Sequence, residues 1–167
     1  MKSATHQILL LAVLLVGFVT IAQAKLNVAP IAPVAQRDAV ADALSLASTH
    51  AGAKVMKIAG VSMLPYFGEG AVVVVKPISE MQLRAGMVVV YRNNFGETIA
   101  HRLIARTATG WVAQGFNNRQ ADSTLVNSTN LIGVVYATFH TMGHQATNGQ
   151  LVATTTTVEV ALAAPAK

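Results

Sequence analysis

Apolar residues follow three different rhythms along this chain. From Ile8 to Ala22 they are nearly continuous. Lys2 is the only charge before Lys25, and the run ends on the small-x-small tripeptide Ala22-Gln23-Ala24. That layout predicts an export segment over residues 1–24. The apolar run is nearer the length of a signal core than the roughly 20 residues of a spanning helix. Residues 3–24 nevertheless carry no Asp, Glu, Lys or Arg, so retention as an N-terminal membrane anchor is the second expectation. Either outcome places the remainder on the exported side of the membrane, anchored or secreted.

The second rhythm is helical. Residues 25–52 begin as a linker with Pro30 and Pro33. They continue into a short helix over Arg37–His50, where Val40, Ala43, Leu44 and Ala47 fall on one stripe. Asp38 near its start suits the helix dipole, and Gly52 is a stop. This helix is expected to lid or prop the domain that follows.

The third rhythm is β and spans residues 53–140. Val55–Ile58 is a short strand. Ala71–Lys76 (AVVVVK) and Met87–Arg92 (MVVVYR) are β-branched runs too continuous to face water on one side. Thr98–Ala105, Trp111–Gln114 and Leu131–Phe139 complete the set, with Gly, Pro and Asn turn signals between them. Short strands at this spacing predict a mainly β domain, a small and strongly bent sheet or barrel. Residues 141–167 read as a loose tail, with one late strand at Val158–Leu162. No internal repeat is present.

Composition narrows the function classes. The 167 residues are 53% apolar and 11% charged, enough to bury a core. The formal net charge of +5 comes from scattered Lys and Arg with few interleaved aromatics, which argues against a nucleic-acid partner. There is no cysteine, so disulfides, thiolate metal sites and a cysteine nucleophile are excluded. No metal or organic cofactor is implied.

The chemistry centres on Gly60-Val61-Ser62-Met63-Leu64-Pro65, which ends a strand and enters a turn. Pro65 restricts the backbone around Leu64, and Gly60 lets another backbone approach. Ser62 is thereby rigid and reachable, although a turn serine bonding its own backbone has the same appearance. A serine hydroxyl needs a base within hydrogen-bond reach. Of the five histidines, His6 lies in the export segment and His50 ends the helix. His140 and His144 are spaced i, i+4 in the tail with no third ligand, as two solvated histidines would be. His101 sits inside a strand, on the face of Ile99 and Leu103. It is a base on a rigid mount or a satisfied core histidine. Asp122 is the only acidic residue between Glu97 and Glu159. It is a group that could orient the imidazole or a carboxylate capping a turn.

In this order these stretches resemble the signal peptidase I family and its LexA-like relatives. The resemblance rests on Gly60-Val61-Ser62-Met63-Leu64-Pro65, Gly70-AVVVVK, Gly86-MVVVY, Ala100-His101-Arg102-Leu103 and Gly115-Phe116-Asn117-Asn118, over roughly residues 55–139. Most bacterial members carry lysine at the base position; His101-Arg102-Leu103 resembles the archaeal and endoplasmic-reticulum type, in which a histidine takes that role. In that type an aspartate follows the Asn-Asn pair, and Asp122 falls at the matching place.

The resemblance implies a LexA/signal-peptidase fold and a serine endopeptidase that cuts exported preproteins after small residues, in association with the membrane. Ser62 is then the nucleophile and His101 the general base. Asp122 orients the imidazole, and the Ser62 N–H serves the oxyanion hole. Four positions depart from the pattern. Ala71, Met87 and Phe116 stand where Gly-Asp pairs are usual, and Gly60 stands where signal peptidases often have a hydroxyl donor. A decayed binding or scaffold domain is therefore an alternative. So is LexA-like self-cleavage, at Ala51-Gly52. Tyr66-Phe67 and Met63-Leu64 are the candidates for a membrane-facing patch.

Overall fold

The computed structural model describes residues 28–142; residues 1–27 and 143–167, with the export segment, His6, His144 and the expected late strand, lie outside them. Among the described residues one helix, α1 (Gln36–Ser48), precedes six strands: β1 (Lys54–Lys57), β2 (Val72–Lys76), β3 (Val88–Arg92), β4 (Thr98–Thr107), β5 (Gly110–Gln114) and β6 (Leu131–Phe139). Each strand expected within residues 53–140 is present, with boundaries differing by a residue or two. The helix ends at Ser48 rather than His50, because Thr49 and His50 form the turn that leads into β1. A single 3-10 turn, Glu80–Gln82, was not expected; Ser79 caps it.

All six strands join one antiparallel sheet in the order β1-β2-β6-β3-β4-β5. The sheet is open, with β1 and β5 as its edges, rather than closed into a barrel. The last strand enters the middle, pairing β2 on one side and β3 on the other. Register shifts interrupt the ladders at Val74/Val75, Val90/Tyr91 and Leu103/Ala105. Such bulges bend a sheet and re-aim side chains.

The continuous valines of β2 are explained by burial on both faces. Val72 and Val74 pack with Ala39, Ala43 and Ala47 of α1. Val73 and Val75 pack with Met56 and Val90 on the other face. The helix contacts the sheet through alanines at i, i+4 and i+8, whose small side chains let it lie close. Val40 and Leu44, expected on the same stripe as Ala43 and Ala47, flank it and are only partly buried. Asp38 lies in the first turn as expected. Val73 and Met56 line the cavity beside Ser62 described next. The helix therefore props the face of β2 opposite that cavity and does not lid it. Among the described residues no helix is long and apolar enough to cross a membrane.

Candidate active site

Ser62 stands in the turn after β1, half-buried. Hydrogen bonds from Leu64 N–H to Val61 O and from Tyr66 N–H to Met63 O close this turn. Met63 and Phe67 anchor it from beneath, packed with Ala71, Ile58, Val88 and Phe116. Gly60 has φ +92°, and its N–H donates to the Glu69 carboxylate at 2.8 Å. The Leu64–Pro65 peptide bond is cis.

A second loop clamps the serine from outside. Asn117 N–H donates to Ser62 O at 2.8 Å, and Asn117 Nδ2 donates to Val61 O at 3.2 Å. Gly115 lies so close that a Cβ on it would be 2.6 Å from Ser62 O. This gives the Gly115-Phe116-Asn117-Asn118 stretch a physical reason. The glycine admits the Ser62 backbone, and the asparagine fixes its carbonyl. The Ser62 N–H has no acceptor among the described residues, so it is free to donate to a ligand.

His101 is buried on β4, paired with Val89 of β3, and shares its face with buried Leu103 as alternation requires. Its Nε2 is 2.9 Å from Ser62 Oγ. Its Nδ1 is 2.6 Å from Asp122 Oδ2. A carboxylate only accepts, so the proton sits on Nδ1 and Nε2 is left to accept from the serine hydroxyl. Asp122 follows β5 in a loop, and its own N–H donates to Ala113 O at 2.8 Å. The three residues singled out from the sequence are thus joined in one hydrogen-bonded chain.

Sequence reading missed a fourth partner. Tyr91 on β3 is 1% exposed, and its hydroxyl donates to the same Asp122 Oδ2 at 2.6 Å. Burial, and then the adjoining carboxylate, push its phenol above the usual tyrosine range, so it stays a donor. In the strand pattern MVVVYR it is indistinguishable from a core aromatic, and only the fold brings its tip to Asp122.

The remaining predicted positions separate cleanly. His50 packs edge-on against Tyr136, and His140 lies at the end of β6; neither lines the cavity beside Ser62. Ala71 and Met87 are packed in apolar clusters, and Phe116 stacks between Tyr66 and the Arg102 guanidinium. Of the four residues expected to form a membrane-facing patch, only Tyr66 is exposed. Met63, Leu64 and Phe67 are buried beneath the serine turn, which corrects that expectation. The Ala51-Gly52 bond lies at the α1–β1 turn and does not line the cavity beside Ser62. Among the described residues no three His, Asp or Glu side chains group as metal ligands.

That cavity, about 360 Å³, is bounded by residues 56–63 on one side and 97–101 on the other, with Val73 and Val90 also in its lining. Among the described residues both walls have unpaired backbone edges. β1 is an edge strand, and β5 pairs β4 only from Arg102 onward, leaving Thr98–His101 bonded to β3 alone. An extended chain entering here would meet free N–H and C=O groups on both sides, apolar side chains around it, and Ser62 and His101 in the wall. Comparison with known proteins returns no matching family model, no matching curated protein and no matching solved structure.

Proposed function

We propose that the protein is a serine endopeptidase of signal-peptidase type, acting on exported preproteins. The observation that carries this reading is the chain Ser62 Oγ–His101 Nε2, His101 Nδ1–Asp122 Oδ2, at 2.9 and 2.6 Å. It is assembled from a turn, a strand and a loop, beside a cavity with two free strand edges. A chance turn serine and a chance core histidine would not meet with a carboxylate behind them.

In this reading the scissile peptide lies extended between the two free edges. Ser62 Oγ attacks the carbonyl carbon as its proton passes to His101 Nε2. The Ser62 N–H donates to the developing oxyanion. Asp122 steadies the imidazolium through Nδ1. His101 then returns the proton to the leaving amine, and water repeats the sequence on the acyl-serine. The apolar lining from Met56, Ile58, Val73 and Val90 suits a short side chain next to the cut bond. The fold that goes with this reading is the bent sheet of the LexA and signal peptidase group. Export and membrane association rest on residues 1–24, with Tyr66 as an exposed aromatic near the serine turn.

The test is cleavage of a preprotein bearing an Ala-x-Ala site, with lipid present, by wild type, Ser62→Ala and His101→Ala in parallel. Cleavage by wild type alone is expected. Equal cleavage by either variant, or folded wild type that cuts nothing, would defeat the reading. In the second case a decayed scaffold domain would account for the apolar residues at 71, 87 and 116.

A further inference from the structure

We propose that Tyr91 is a positioning residue, whose buried phenol holds the Asp122 carboxylate in the one orientation that keeps His101 aimed at Ser62. The proposal rests on the triad reading above and extends it to a residue outside the nucleophile–base–acid set.

Four observations carry it. Tyr91 is fully buried among Leu83, Val89, Leu103 and Trp111, a place where phenylalanine would pack without a polar cost. A buried hydroxyl must find a partner or carry the full cost of its desolvation. Here the partner is not a backbone carbonyl but the carboxylate beside the histidine, at 2.6 Å. Second, Asp122 belongs to no strand. Its carboxylate is held, among the described residues, by two donors, His101 and Tyr91, both on Oδ2. Both bonds end on one oxygen, so they hold Oδ2 from two directions where a single bond would leave it free to swing about its donor. Third, β3 is regular here: its ladder to β4 runs unbroken from Val88 to Arg92, and the extra residue where the β3–β6 ladder slips, Ile132, belongs to β6. Tyr91 therefore shares the face of Val89 by plain alternation, on a central strand paired on both sides.

The fourth observation says what happens without the hydroxyl. A cavity of about 120 Å³ lies against Asp122, lined by Tyr91, Asn93, Ile99, His101, Ser123 and Thr124. With the phenol in place, the carboxylate is tied to the histidine side of this space. Without it, the carboxylate can turn into the cavity and let the imidazole drift. The tyrosine comes from the strand beside β4 in the middle of the sheet, whereas Asp122 comes from a loop. A central strand thus positions a carboxylate carried on a loop, as a preorganised site requires.

The test is Tyr91→Phe in the full chain, with three readouts. Thermal unfolding establishes that the variant is folded. Steady-state cleavage is expected to show kcat reduced about ten- to hundredfold with KM nearly unchanged, the loss typical of a misplacement near 1 Å. Proton NMR follows the His101 Nδ1–H resonance, assigned by its absence in His101→Gln. It is expected to move, because Oδ2 now serves one donor instead of two. A lower kcat with an unmoved resonance would mean a merely structural role and overturn the proposal, as would no change in either. If wild type and Ser62→Ala prove equally inactive, the peptidase reading fails, and the resonance alone decides whether Tyr91 holds the pair. Should Tyr91→Phe fail to fold, the wild type answers directly. A cross-peak between the Tyr91 hydroxyl proton and the His101 Nδ1–H is expected of two donors sharing one oxygen, and its absence would refute the arrangement.

Discussion

Replacing Gly115 by alanine adds a single methyl group, and the structure specifies where it goes. The new Cβ would lie 2.6 Å from the carbonyl oxygen of Ser62 and 3.0 Å from the Asn118 side-chain amide. Ordinary contact begins near 3.4 Å, so the serine backbone must retreat by roughly 0.8 Å. It cannot do so freely, because Asn117 N–H already holds that oxygen at 2.8 Å, and Met63 and Phe67 fix the turn below. The strain divides between the loop and the serine. Overpacking of this kind costs about 1–3 kcal/mol of stability, and a misplacement approaching 1 Å at the reacting group costs about a hundredfold in rate. The assay is kcat/KM for peptide cleavage, measured well below the unfolding transition, beside urea unfolding of the same sample. Gly86→Ala is the comparison. It meets nothing within 4 Å, does not line the cavity, and has φ +90°. It should lose about 1–2 kcal/mol through backbone strain while cleaving normally when folded. If Gly115→Ala is destabilised but cleaves like wild type, the serine is not seated against this loop during cleavage, and the clamp described above is wrong.

Three further outcomes follow from the same structure. In Asp122→Asn the amide should turn its oxygen toward the two donors that converge on Oδ2, preserving the histidine tautomer and losing only the charge. The expected fall in kcat/KM is about ten- to hundredfold, and a loss near 10⁴ would show the amide NH₂ facing the histidine instead. Folded Tyr91 keeps its proton past pH 10.0, the ordinary tyrosine value at which the unfolded chain releases it. The unfolded state then binds fewer protons, so stability should fall above that pH by up to about 1.4 kcal/mol per pH unit; urea unfolding of Tyr91→Phe should show a shallower decline. Ala43→Leu places three extra carbons between α1 and the Val72/Val74 face. It should cost about 1–3 kcal/mol in urea unfolding and leave kcat unchanged, since the helix lies across the sheet from the cavity; a neutral result would mean the helix is not packed as described.

The difference between β2 and β4 shows how far a linear pattern reaches. Val72–Lys76 announces a strand buried on both faces, because four consecutive β-branched residues have no polar face to offer water. The alternation through Ile99, His101 and Leu103 puts the imidazole on a buried face by geometry alone. Asp122 stands out because that part of the chain has no other carboxylate. What alternation does not record is which side chain of a second strand reaches the same point. Tyr91 reads as core, and it is core, with only its terminal oxygen taking part in the site. Met63, Leu64 and Phe67 illustrate the opposite error. Four apolar residues beside a candidate nucleophile look like a surface patch, but three are buried beneath the turn that carries it.

The sequence by itself determined the helix, the six strands and the two-sided burial of β2, and it made Ser62, His101 and Asp122 candidates that a family resemblance then joined. The elements and the candidates follow from local periodicity, turn chemistry and the scarcity of certain side chains, all properties of neighbours along the chain. The strand order, the insertion of β6 between β2 and β3, the open edges around the cavity and the Tyr91–Asp122–His101 convergence were decided only by tertiary structure. They join residues 21 to 39 positions apart and more. Such contacts depend on which faces find each other when the sheet bends, a quantity summed over the whole core and written in no single stretch of it.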